Sequence, residues 1–194
     1  MSNIKKIGGL NEYLLHVENT IKNIKHYDKV VDEAANKISD ALKKGNKVIV
    51  CGNGGSSADA QHIVAELTGR FLEERKGFSA IALPTSIAAA TAISNDYSFE
   101  FIFERELQAI GKQGDILIAI STSGNSINVI NAVKYAKNNG ISTISLLGKD
   151  GGKMKDLSDI EIIVPSNETP IIQIVHSIMY HALCDRIDQI MIEK

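Results

Sequence analysis

Cysteine is scarce, at two residues in 194, Cys51 and Cys184. Two cysteines do not make a disulfide framework, and Cys51 closes an apolar run, where a buried free thiol is ordinary. Excess charge of either sign is missing too. The 21 basic and 23 acidic residues leave a formal net charge of −2. That argues against a nucleic-acid partner, because phosphate backbones need clustered Lys and Arg. The charged runs that exist, Lys43-Lys44 and Glu73-Glu74-Arg75-Lys76, are short and read as solvated faces. No apolar stretch approaches the roughly 20 residues of a membrane span. Met1 to Lys6 lacks the apolar core of a signal peptide. A cytoplasmic protein without a membrane partner is expected. Low-complexity tracts and internal repeats are absent, so residues 1–194 read as a single domain. Its 44% hydrophobic content is enough for a core at this length.

What is present is an alternation of helices and short apolar strands. Ile21, Ile24, Val31, Ala34, Ile38 and Leu42 recur at helical spacing, which predicts an N-terminal helix over about 10–44, stopped by Gly45-Asn46. Strands are expected at Lys47–Cys51, Ala80–Leu83, Asp115–Ile120, Ser142–Leu147 and Ile160–Val164. Helices are expected at Ser57–Leu72, Ile87–Ile93, Phe99–Leu107, Ile127–Asn138 and Pro170 to about Ile192. The strands are continuous apolar runs, as in sheets covered on both faces. The fold class is therefore α/β, a doubly wound, mostly parallel five-stranded sheet flanked by helices. Ligands of such sheets bind beyond the carboxyl ends of the strands.

Two strand ends carry unusual loops. C-G-N-G-G-S-S at 51–57 enters a helix, where glycines let backbone N–H groups approach an anion and the helix end adds partial positive charge. It matches neither the Walker pattern nor the spaced glycines of a dinucleotide fold, which excludes a Rossmann-type dehydrogenase. S-T-S-G-N-S at 121–126 packs four hydroxyls around one glycine. Capping a helix needs one hydroxyl. Four make a phosphate cradle that needs neither a Lys nor a metal.

These loops resemble the sugar isomerase (SIS) domain family, and within it the phosphoheptose isomerases. The resemblance rests on C-G-N-G-G-S-S-A-D-A-Q-H-I-V-A-E-L-T-G-R-F at 51–71, S-N-D-Y at 94–97 and I-S-T-S-G-N-S at 120–126. It continues in G-K-D-G-G at 148–152 and I-Q-I-V-H-S-I-M-Y-H at 172–181. It implies a single SIS domain that interconverts D-sedoheptulose 7-phosphate and D-glycero-D-manno-heptose 7-phosphate through an enediolate. That is the first step toward an activated heptose for lipopolysaccharide or capsule. It also implies a homotetramer. The competing reading is a non-enzymatic SIS-domain regulator that binds the replication initiator, which would not need an acid/base set.

His62 and Glu66 are four residues apart and share a helix face that starts at the first loop. By resemblance they match the family's metal-binding His and its catalytic, metal-contacting Glu. On the closing helix, Gln173 and His181 match its substrate- and metal-contacting Gln and its catalytic, metal-contacting His. Two imidazoles, a carboxylate and an amide suit one Zn2+ per subunit. Moving a carbonyl between C2 and C1 needs a base on carbon and an acid toward oxygen. Glu66 is assigned as base and His181 as its partner. Asn53, Gly54, Gly55, Glu66, Asn95, Asp96 and Gln173 are expected on the sugar, with Ser121, Thr122, Ser123 and Ser126 on the phosphate. Asp96 alternatively caps a turn. Eight residues of helix span about 12 Å, so joining Gln173 to His181 asks for a distorted first turn or for packing between subunits. His176 competes with them on spacing and reads as structural. Where the family usually has an Arg, Ile171 stands, with Arg70 the candidate to compensate.

Overall fold

Strong β-formers in short runs build the sheet, and in a computed structural model, which describes residues 8–192, all five strands are parallel. The signal-peptide reading of Met1 to Lys6 lies outside those residues. The strands are β1 (Val48–Gly52), β2 (Ala80–Leu83), β3 (Ile116–Ser121), β4 (Ser142–Gly148) and β5 (Ile160–Val164). Their order is β2-β1-β3-β4-β5. Seven helices cover it: α1 (Leu10–Lys22), α2 (Asp28–Lys43), α3 (Gly55–Thr68), α4 (Ile87–Asp96), α5 (Ile102–Ile110), α6 (Ile127–Asn138) and α7 (Thr169–Ile192).

Side chains alternate across each strand, so the sheet feeds two cores. Val48, Val50, Ile116, Ile118 and Ile120 face α2, α3 and α7, while Ile49, Cys51, Leu117 and Ala119 face α5 and α6. The periodicity places β2, β5 and α6 where the structure has them.

The expected helix over 10–44 is broken. A 3-10 turn at Lys25–Tyr27 separates α1 from α2. Asn23 turns its side-chain amide onto the Asn19 carbonyl at 3.1 Å, a local bond that competes with helix propagation. Ile24 is buried. The Tyr27 hydroxyl accepts from the Ile163 N–H at 3.1 Å and lies 3.2 Å from the Ile163 carbonyl, tying the break to β5. The stripe Ile24, Val31 and Ile38 is thus covered within the chain.

Helix α3 stops at Thr68, short of the expected Leu72. Arg75 is the cause, and it corrects the reading of 73–76 as a solvated run. Its guanidinium donates to the carbonyls of Glu66 (2.8 Å), Leu67 (3.0 Å) and Gly69 (3.2 Å), which caps the helix end. It also pairs with Asp188 of α7 at 2.6 Å, with both side chains at most 6% exposed. A buried charge of this kind persists only when paired and hydrogen-bonded.

No helix among the described residues is long and apolar enough to cross a membrane. Helix α4 is apolar yet has no buried residue, and its Ile87 is 84% exposed.

Candidate active site

After β1 the chain crosses to β2 on one side and later returns to place β3 on the other. The strand order reverses between β1 and β3, the place where open α/β sheets take ligands. Both unusual loops open there. Gly54 has φ 56°, a left-handed conformation that favours glycine. A methyl group on Gly55 would collide with the side-chain amide of Gln173, so this glycine lets α7 close on the loop. Across the reversal, Asn53 and Asn128 exchange two amide hydrogen bonds of 2.9 Å each. Asn128 is buried and fixes the orientation of Asn53. Sequence reading missed it, because one Asn in the first turn of a helix carries no distinguishing signal.

The second loop holds its hydroxyls by internal bonds. Ser121 and Ser126 share one at 3.0 Å, and the Ser123 hydroxyl accepts from the Asn125 N–H at 3.1 Å. Ser126 is the residue before α6, but its side chain makes no capping bond. The hydroxyls are therefore not spent on capping α6, and its N-terminus still faces the loop with its partial positive charge. Gly124, at φ 63°, packs so tightly on the Gly151 carbonyl that no Cβ fits between them. The G-K-D-G-G segment at 148–152 is thus the outer wall of this cradle.

His62, Glu66 and His181 meet on the faces of α3 and α7. The His62 Nε2–H donates to Glu66 Oε1 at 2.9 Å. The His181 ring stands edge-on to His62 with centroids 5.0 Å apart, and Phe71 stacks on its other side at 5.8 Å. One ligand atom each from His62, Glu66 and His181 lie within 4.8 Å of one another. Two imidazoles and a carboxylate this close could hold a metal ion, and this donor set is one that zinc accepts. Two further residues, not anticipated from the sequence, border the cluster. Tyr180 is buried, and its hydroxyl sits 3.0 Å from His62 Nδ1. Burial raises its pKa, while a hydrogen bond from Ser177 opposes the rise. Asp59, one turn before His62, keeps one buried carboxylate oxygen without a partner. Burial raises its pKa against the pull of His62.

Gln173 lies about two turns before His181 on α7. Helix α7 is continuous from Thr169, so its first turn is not distorted, and about 12 Å of axis separates Gln173 from His181. The Gln173 side-chain amide lies against Gly55 of the glycine loop. Asn95 and Asp96 sit at the exposed end of α4, joined by a 2.9 Å bond. Ile171 is buried in the core, while Arg70 is an exposed residue whose guanidinium lies 3.7 Å from Glu74 and does not reach the site. Cys51 and Cys184 are buried, and burial pushes both thiols up to about 12.

Comparison with known proteins agrees with this layout. The SIS domain family profile matches residues 12–148. The phosphoheptose isomerase of Aliarcobacter butzleri (strain RM4018) is 50% identical over 179 residues, 92% of this chain and 95% of that protein. A solved phosphoheptose isomerase from Francisella tularensis superposes with a TM-score of 0.89 at 37% identity, covering 97% of this chain and 100% of that one. The solved phosphoheptose isomerase from Neisseria gonorrhoeae gives 0.82 at 40% identity, covering 92% and 94%.

His176 is structural, as its place on α7 shows. Its Nε2–H donates to the Leu147 carbonyl of β4 at 2.9 Å, and its Nδ1 is buried without a partner. Burial lowers its pKa to about 4, against a smaller opposing effect of the Leu147 bond. The unfolded chain therefore binds a proton that the folded chain refuses between pH 6.5 and 4. The contribution is complete above pH 6.5 and is lost as pH falls through that window, by up to about 3 kcal/mol. Urea unfolding at pH 7 and 4.5 should show a larger loss for wild type than for His176→Gln, which has no proton to gain. Equal losses would refute this assignment.

Proposed function

The chain belongs to the SIS domain family, and from that premise we propose that it is an aldose–ketose isomerase interconverting D-sedoheptulose 7-phosphate and D-glycero-D-manno-heptose 7-phosphate. The observation that carries the reading is the convergence of His62 and Glu66, on the helix that starts at the sheet reversal, with His181 of α7. The regulator reading finds no support, since the relatives of about 50% identity are named isomerases. The product is a heptose phosphate, so the reaction stands at the head of heptose activation for lipopolysaccharide or capsule. A cytoplasmic location suits a phosphorylated substrate.

In this reading the hydroxyls of Ser121, Thr122, Ser123 and Ser126 take the phosphate together with the start of α6. Asn53, held by Asn128, and the backbone at Gly54 and Gly55 take sugar hydroxyls, with Gln173 closing over them. Glu66 has one oxygen committed to His62. Its other oxygen is the base that removes the C1 proton of the ketose and returns it to C2. His181, oriented by Phe71, passes the compensating proton between the two sugar oxygens. His62, Glu66 and His181 are the residues that would hold a zinc ion, which as a Lewis acid stabilises negative charge developing on the sugar oxygens.

Following the aldose product by coupled assay tests the reaction directly. Glu66→Gln should lose two to four orders of magnitude in kcat. Failure of the wild type to turn over sedoheptulose 7-phosphate sinks the reading. Ser123→Ala should raise KM about tenfold with kcat nearly intact, as expected for one lost hydrogen bond to a charged group. An unchanged affinity for both substrate and inorganic phosphate removes the cradle assignment.

We further propose a homotetramer. Leu10 and Leu14 of α1, Ile87 of α4 and Ile178 of α7 are exposed large apolar side chains, surface that packing against other copies of the chain would bury. Asn95 and Asp96, remote from the loops' own hydrogen-bond networks, then act on a neighbouring chain's site. Sedimentation should give four chains, with Ile87→Glu losing assembly and activity together. A fully active monomer would overturn it. Because Glu66 and His181 meet within one chain, mixing Glu66→Gln with His181→Ala chains should restore nothing.

A further inference from the structure

His62 has two ring nitrogens, and the cluster uses only one. Nε2 points at Glu66, while Nδ1 faces the buried Tyr180 hydroxyl at 3.0 Å. The phenol ring also packs edge-on against the imidazole, with centroids 5.3 Å apart. An ionised carboxylate only accepts hydrogen bonds, so in the arrangement of the structure Nε2 carries the proton. Nδ1 is then the lone pair, and the Tyr180 O–H donates to it. A metal among His62, Glu66 and His181 needs the Nε2 lone pair, and the proton must then sit on Nδ1.

Resting on the metal-assisted reading above, we infer that Tyr180 is a positioning residue that holds His62 in both tautomers, donating to Nδ1 before metal binding and accepting from Nδ1–H afterwards. A hydroxyl is the smallest side-chain group able to do both. The bond reverses direction and the ring need not move. Phenylalanine would fill the same space but leave Nδ1 without this partner. Ligating histidines are generally held in this way through their second nitrogen, and losing such a partner weakens metal binding 10- to 100-fold.

The test is Zn2+ affinity of the full chain, measured by competition against a chromogenic chelator. Wild type should bind one Zn2+ per chain. Tyr180→Phe should bind it at least tenfold more weakly while keeping its circular dichroism and its thermal midpoint in chelator. An unchanged affinity overturns the role of Tyr180 alone, whereas absence of binding by the wild type removes the metal reading with it. If the variant does not fold, long-range 1H–15N spectra of the Zn2+-loaded wild type decide the matter. A protonated His62 Nδ1 supports the inference, and zinc on Nδ1 overturns it.

Discussion

The register of α7 against α3 is the constraint on which the site depends. Both helices follow parallel strands and lie on the same face of the sheet, so they run side by side in one direction. Gly55 to His62 is seven residues, and so is Gln173 to Tyr180. The contacts Gly55–Gln173 and His62–Tyr180 therefore repeat along the pair at matched height. Beyond them, Arg75 caps α3 and reaches Asp188 on α7. Apolar packing alone does not set this register. Helix α7 buries Ile172, Val175, Met179, Leu183 and Ile187, and apolar surfaces tolerate many near-equivalent arrangements. Three polar anchors select one: His176 on Leu147, Tyr180 on His62, and Asp188 on Arg75.

The other half of the site depends on the sheet. Strands β1 and β3 pair in register from Val48–Ile116 to Gly52–Ile120, which brings the two loops out side by side. The Asn53–Asn128 amide pair then locks one loop to the first turn of the helix that follows the other. A reciprocal amide pair has a single geometry with both bonds made, so it positions Asn53 more strictly than packing would. The G-K-D-G-G wall is held to the hydroxyl loop by backbone contact, and the Met154 N–H donates to the Gly124 carbonyl at 3.0 Å.

The fold was legible because apolar runs and helical stripes were long and cleanly bounded. All five strands and the helix starts after the loops followed from periodicity and glycine placement. The cluster of His62, Glu66 and His181 was reached through resemblance, since spacing alone could not bring α7 to α3. What stayed hidden shares one physical feature: it depends on a partner distant in sequence. Arg75 reads as a surface charge until Asp188, 113 positions later, is seen beside it. Asn128 needs Asn53, and Tyr180 needs His62. The break at Lys25–Tyr27 depends on Ile163, 136 positions away. Gln173 is set apart from His181 by its rise along α7, and the continuous helix leaves packing between subunits as the way to close that distance.

Exposed apolar residues on α7 are where the proposed assembly would meet the proposed catalysis. Ile174 and Ile178 are 41% and 43% exposed, each one residue after a side chain that serves the site, Gln173 and Ser177. Neighbouring residues on a helix point about 100° apart, so these isoleucines flank the site face without entering it. A surface that covers them borders the site on its open side. It would exclude water from the edge of the acid/base cluster, where His62 is still 45% exposed. Lower local dielectric would strengthen every bond that Glu66 and His181 make to substrate in the proposed mechanism. The proposed assembly would in this arrangement complete the solvent environment of the reaction even though His62, Glu66 and His181 already meet within one chain.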